Sequence, residues 1–173
     1  MDLATPFLER SRHFLAFEYP TKIRRCLDVL PADAVWRRTD ADSNSVGNLL
    51  LHLAGNVRQW IISSVGRAPD TRYRSAEFAA REGAGAEELF AALRGTLDEA
   101  DAVIAALTPA ALLERRTVQG RDVTVLEAVY HVVEHFALHT GQIVLLTKLH
   151  APGRIRFYED AGGLAVPRWS EDA

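Results

Sequence analysis

The stretch 131–146, HVVEHFALHTGQIVLL, decides how the rest of the chain is read. It carries His131, His135 and His139 at steps of four. Each such step advances about 40° around an α-helix, so neighbouring pairs project from one face, a turn apart. Two imidazoles in that arrangement can reach one metal ion at Zn–N distances of about 2.0–2.1 Å. A third histidine one more turn along drifts away from the pair, so a further ligand is expected from a different helix. The surrounding pattern, with Val125, Leu126, Val129, Val132, Phe136, Leu138, Ile143 and Leu146, predicts a helix over 124–149 that is apolar nearly all round. A helix of that kind is central, which turns its histidine stripe inward. Buried histidines need partners, and a metal ion satisfies several at once.

His52 is the one histidine inside another strongly helical segment; His13 and His150 fall near helix ends or in less regular surroundings. A single histidine on an apolar helix is most often a hydrogen-bonded core residue. Three on one stripe and a fourth on another helix weigh toward a metal site of one histidine from the second helix and two from the last. The second helix is predicted over 46–65, after a polar segment whose Asp40, Asp42, Ser43, Asn44 and Ser45 can cap it. Asn48, His52, Asn56 and Gln59 form a polar stripe on it at steps of four, four and three. The aliphatic residues around that stripe favour a lined cavity over solvent.

Two more helices complete the pattern. Residues 4–30 read as a helix that Pro20 should kink or split near Tyr19. Residues 86–106 give an amphipathic helix with Leu89, Leu93, Leu97 and Ile104 on its buried stripe. Between the second and third helices, residues 66–85 are irregular apart from one short helical turn near Ser75. A loop of about 20 residues is uncommon in a compact domain. It makes sense as a crossover along a helix about 30 Å long, which lets helices two and three run parallel. Residues 114–122 suggest an extended loop or hairpin around Gly120. The expected fold class is all-α, a single four-helix-bundle domain over 1–173. Aromatic residues in the tail suggest that it packs on the bundle or on a second subunit.

Composition bounds the rest. The 173 residues suit one domain with a sizeable core, and 48% hydrophobic with 25% charged residues is ordinary for a globular protein. A formal net charge of −3 gives no bias toward nucleic acid or an anionic membrane. The single cysteine, Cys26, excludes an internal disulfide and sits in an apolar helical pattern where packing is the expected role. Without a signal pattern or an apolar run of about 18 residues, a cytoplasmic protein is expected.

The segments SNSVGNLLLHLAGNVRQWI and HVVEHFALHTGQI, with FYED and the closing VPRW, resemble the bacterial DinB/YfiT-like family of proposed metalloenzymes, and in particular a branch of unknown function. The most specific element is the second-helix histidine combined with HxxxHxGQI. The resemblance implies a four-helix bundle of up-down-down-up topology, often dimeric, so a homodimer is expected. It also implies a divalent metal, zinc or nickel foremost, held by His52, His135 and His139. His131 then takes a pocket or supporting role, together with Asn48, Asn56, Gln59 and Gln142. Some relatives are transferases or isomerases that use low-molecular-weight bacterial thiols.

Three protein ligands leave a coordination position open for water or substrate. Such a site can activate a thiol or a water, which leads to a metal-dependent transferase or hydrolase acting on a small molecule. The alternative is a non-catalytic bundle that binds metal or a small ligand. A di-iron carboxylate site is rejected, because no glutamate stands three residues before His131, His135 or His139. Neutral imidazole is the ligand, so metal binding is expected to weaken as pH falls below about 6.

Overall fold

The first helix, α1, is continuous but not uniform. In this computed structural model, which describes residues 3–169, it runs through Ala4–His13, a π-helical stretch Phe14–Glu18, and Tyr19–Val29. Pro20 lies in the first turn of the last piece. It has no N–H to donate, and its ring crowds the carbonyl four residues back. The interruption expected near Tyr19 is thus absorbed by one widened turn just ahead of it. The second helix, α2, comprises Val46–Val57 and a π-helical stretch Arg58–Val65. Its start is fixed by a reciprocal cap: Ser45 Oγ accepts from the Asn48 N–H, and Asn48 Oδ1 accepts from the Ser45 N–H, both at 3.1 Å. A short α3, Arg74–Ala79, sits within the crossover. Then come α4, Ala86–Ala105, and α5, Val125–His150, the latter capped by Thr124 and Glu127 in the same reciprocal manner.

The long helices share one core. Ile23, Leu49, Leu53, Ile61, Leu93, Leu97, Ile104, Phe136 and Ile143 are fully buried in it. Between α1 and α4, Arg12 forks onto Asp101 at 2.7 and 2.8 Å, Arg94 donates to the Ala16 carbonyl, and Arg24 reaches Glu87. Along α2 and α4 the paired positions rise together. Trp36 packs on Gly47 while its Nε1 donates to the Ala84 carbonyl; Arg58 meets Glu99; Gly66 packs against Val103. Between α1 and α5, Tyr19 stacks on Phe136.

Two expectations need correction. The chain is mostly helical but not all-α. Antiparallel hairpins join β1, Arg115–Val118, to β2, Arg121–Thr124, and β3, Tyr158–Ala161, to β4, Leu164–Pro167. Both turns have two successive residues at positive φ, Gln119–Gly120 and Gly162–Gly163, which matches the twist that two-residue hairpins need. The hairpin around Gly120 agrees with the sequence reading; the second was not foreseen. Nor is α5 buried all round. It packs against α1 and α2 on adjoining sides, and Leu126, Tyr130, Leu138, Leu145 and Leu149 remain 39–61% exposed on the side left over. By residue type Leu126, Leu138 and Leu145 belong with the core; only the placement of neighbouring helices separates them from Val132 and Phe136.

Candidate metal centre

His52, near the middle of α2, faces His135 and His139 on α5. Its Nε2 lies 2.9 Å from His135 Nε2. The ring centroids of the three histidines are 4.4–4.9 Å apart, and one nitrogen from each falls within 4.8 Å of the others. His131 stands outside this group. Its ring packs on Trp60 at 4.1 Å, and its Nδ1 is 3.3 Å from Glu134.

The neighbours of the rings settle which nitrogens are available. His52 Nδ1 is 2.8 Å from Glu77 Oε2. An ionised carboxylate only accepts, so Nδ1 carries the proton and Nε2 presents a lone pair. Arg72 Nη2 is also 3.1 Å from that Nδ1, but its 2.8 Å bond to the same carboxylate oxygen is the one that two donors allow. His139 Nδ1 is 2.7 Å from Gln142 Oε1, which frees its Nε2 in the same way. Partners of this kind on the far nitrogen are how proteins orient metal-ligating imidazoles. Burial, with the neighbouring His139 and His52 rings adding to it, pushes the His135 pKa down to about 3. Burial also lowers His139 against the opposing pull of Gln142. Both rings therefore stay neutral in more acidic solution than the free imidazole value implies, and proton competition at them starts below the pH of about 6 expected from sequence.

A buried support system stands behind His52. Arg72 forks onto Glu77, Nε to Oε1 at 2.7 Å and Nη2 to Oε2 at 2.8 Å, with its side chain only 2% exposed. Arg72 Nη1 donates to Gln59 Oε1, and Gln59 in turn donates to Asp70 and accepts from Gln119. Burial alone would raise the Glu77 carboxyl, but the bonds from Arg72 and His52 outweigh it and hold its pKa below the usual value. Phe78, next along α3, covers the His52 ring at 4.6 Å. The crossover that carries these residues is tied to α2 by Asn48, whose Nδ2 donates to the Glu77 and Ala80 carbonyls.

Gly55 leaves room for that system. A Cβ there would overlap Glu77 Oε1 and stand 3.0 Å from Arg72 Nε. Alanine in a helix is favoured over glycine by about 1 kcal/mol. Here the clash should prevail, because the carboxylate is held on both oxygens and has nowhere to swing. Gly55→Ala is expected to destabilise the protein by about 1–3 kcal/mol net in urea denaturation. An unchanged or raised midpoint would mean that the Glu77–Arg72 pair is not fixed against α2.

The polar residues singled out in the sequence thus separate. Gln142 touches a histidine of the cluster, Gln59 belongs to the Arg72 support, and Asn48 anchors the crossover. Asn56 is buried, and among the described residues its Oδ1 has no partner. Glu77 and Arg72 had escaped the sequence reading. They lie 25 and 20 residues beyond His52 in the irregular crossover, where no helical period links them to it; a lone carboxylate in SAEFAA was the only signal.

The donor set fits a divalent cation. Three imidazoles from two helices converge, two of them with the far nitrogen facing an acceptor, as in three-ligand sites with an open position. Among the described residues this is the one group of three or more His, Cys, Asp or Glu that could hold a metal ion. The sequence model of a family described as Mycothiol-S-transferase matches residues 11–151. Curated proteins provide no match. Among solved structures, a DinB-like protein from Bacillus cereus superposes with a TM-score of 0.61 over 78% of this chain and 90% of that one, at 18% identity, a likeness of fold.

Proposed function

The chain belongs to the mycothiol-S-transferase family, and we propose that it transfers a low-molecular-weight thiol, mycothiol or a relative of it, to a small electrophile with the aid of a divalent metal. The observation that carries this reading is the convergence of His52, His135 and His139, with Glu77 and Gln142 fixing two of the rings. Zinc and nickel both suit an all-imidazole set. The fold belongs to the same reading, as an up-down-down-up bundle. In its support, Trp36 bridges Gly47 of α2 to Ala84 just before α4, Arg58 of α2 meets Glu99, and Gly66 just past α2 meets Val103, while 12, 16 and 24 of α1 meet 101, 94 and 87.

The chemistry follows from what each group offers. A bound divalent cation would supply a Lewis acid that favours the thiolate form of a substrate thiol at neutral pH. The protein's own thiol is not a candidate nucleophile: Cys26 is fully buried, and burial pushes its pKa up to about 11. The sulfur must therefore come from a substrate. In transfer, the thiol loses its proton to solvent, sulfur bonds the electrophilic carbon, and the leaving group departs with its bonding pair. Burial keeps His135 and His139 neutral, while Phe78 packs on the His52 ring. Glu77 accepts the His52 Nδ1–H and so holds that ring in register.

The test is a conjugation assay with zinc- or nickel-loaded protein, mycothiol and other small thiols as donors, and monochlorobimane as electrophile. Product formation well above the uncatalysed rate is expected, and it should vanish in His135→Ala. Stoichiometric metal without turnover for any thiol would favour a non-catalytic binding bundle instead.

A further inference from the structure

A cavity of about 680 Å³ lies between α1, α5 and the chain that follows α5. Its α5 wall is Ala137, Thr140, Gly141, Val144 and Lys148. At about 100° per residue these positions point roughly opposite to His135, His139 and Gln142, so the cavity does not share the histidine site. Tyr19, Ile155 and Phe157 give the remaining wall apolar surface.

Two features set it apart from an ordinary apolar cleft. The first is charge. Lys22, Lys148 and Arg156 all line it. Lys22 is neutralised by Glu18 at 2.8 Å, but among the described residues neither Lys148 nor Arg156 has an acidic partner. Glu159, close by in sequence, is bound to Arg168. The second is Thr140. A threonine within a helix commonly donates to the carbonyl one turn back, as Thr147 does to Ile143 at 2.8 Å. Thr140 is 4% exposed, and among the described residues its Oγ1 has no hydrogen-bond partner. Buried polar groups normally find one.

We infer that this cavity is a second ligand site, for a small organic anion: a carboxylate or phosphate carried on a flat apolar body. Lys148 and Arg156 hold the anion, Thr140 bonds a polar atom of the ligand once a turn about χ1 brings its hydroxyl to the cavity, and the body lies between Val144 and the wall formed by Tyr19 and Phe157. A cavity of this size accommodates a ring system with one charged group. The positive rim, on which Lys148 and Arg156 lack an acidic partner among the described residues, argues against a second copy as the occupant, because identical faces would bring like charges together.

The test is amide chemical-shift mapping on the full ¹⁵N-labelled chain with three probes of one shape: naphthoate, naphthyl phosphate and neutral naphthamide. Saturable shifts are expected at residues 137–148 and 155–158 with at least one anion, and the better anion identifies the head group. Naphthamide should bind about tenfold more weakly or worse, as should either anion to the Lys148→Glu/Arg156→Glu protein. Val144→Trp, which fills the cavity without touching the charges, should abolish the shifts while leaving those of His52 and His135 in place. Equal binding of naphthamide, or the absence of saturable shifts at these residues with any probe, overturns the assignment. Shifts that survive both the charge reversal and Val144→Trp do the same.

Discussion

His135→Ala is expected to take bound zinc or nickel from one equivalent to near zero after dialysis. His52→Ala and His139→Ala should do likewise, while His131→Ala keeps about one equivalent. Loss of a supporting partner alone typically weakens metal binding about 10–100-fold. Removing one of three direct ligands must cost more than that, on the order of 3 kcal/mol or above. His131 is the internal control. It belongs to the same stripe of α5, yet it packs on Trp60 and lies outside the nitrogens that converge. Circular dichroism should show the helices intact in all four proteins. Metal that survives His139→Ala but is lost with His131→Ala would put the register wrong by one turn.

Glu77→Ala is expected to cost about 3–5 kcal/mol of stability, the range for removing one partner of a buried ion pair. The effect is large because Arg72 is almost wholly buried and forks onto this carboxylate, so its charge would be left facing His52. Metal affinity should fall as well, by about 10–100-fold, because His52 loses the acceptor that fixes its Nδ1–H. Glu77→Gln separates the two effects: its amide oxygen can still accept from His52, but it cannot neutralise Arg72. It should therefore retain more affinity than stability. Urea midpoints and metal titrations on the same preparations read both quantities. A loss below about 1 kcal/mol in Glu77→Ala would show that the pair behaves as a surface salt bridge.

The histidines were legible in the sequence because a helix turns spacing into direction. Steps of four from His131 to His139, and one histidine on another apolar helix, were enough to suggest a shared site. The long connection between α2 and α4 was legible for a related reason, since its length exceeds what a tight turn requires. Spacing could not choose between His131–His135 and His135–His139; the family resemblance made that choice. Glu77 and Arg72 were hidden because their position depends on how the crossover folds back over α2, a long-range contact without a period. Asn48 misled in the opposite sense. It shares the stripe of His52, but it sits at the helix start and its amide bonds cap and crossover. The exposed leucines of α5 mark the same limit, since hydrophobicity reports what a residue favours and not which neighbour covers it.

The most direct measurement is a crystal structure of the metal-loaded protein with data collected at the metal absorption edge. One strong anomalous peak is expected, bonded to a nitrogen of each of His52, His135 and His139 at about 2.0–2.1 Å if the ion is zinc, with Glu77 and Gln142 still on the far nitrogens. A peak bonded to His131 in place of His139, or no peak at the cluster while the metal is bound elsewhere on the chain, would contradict the account.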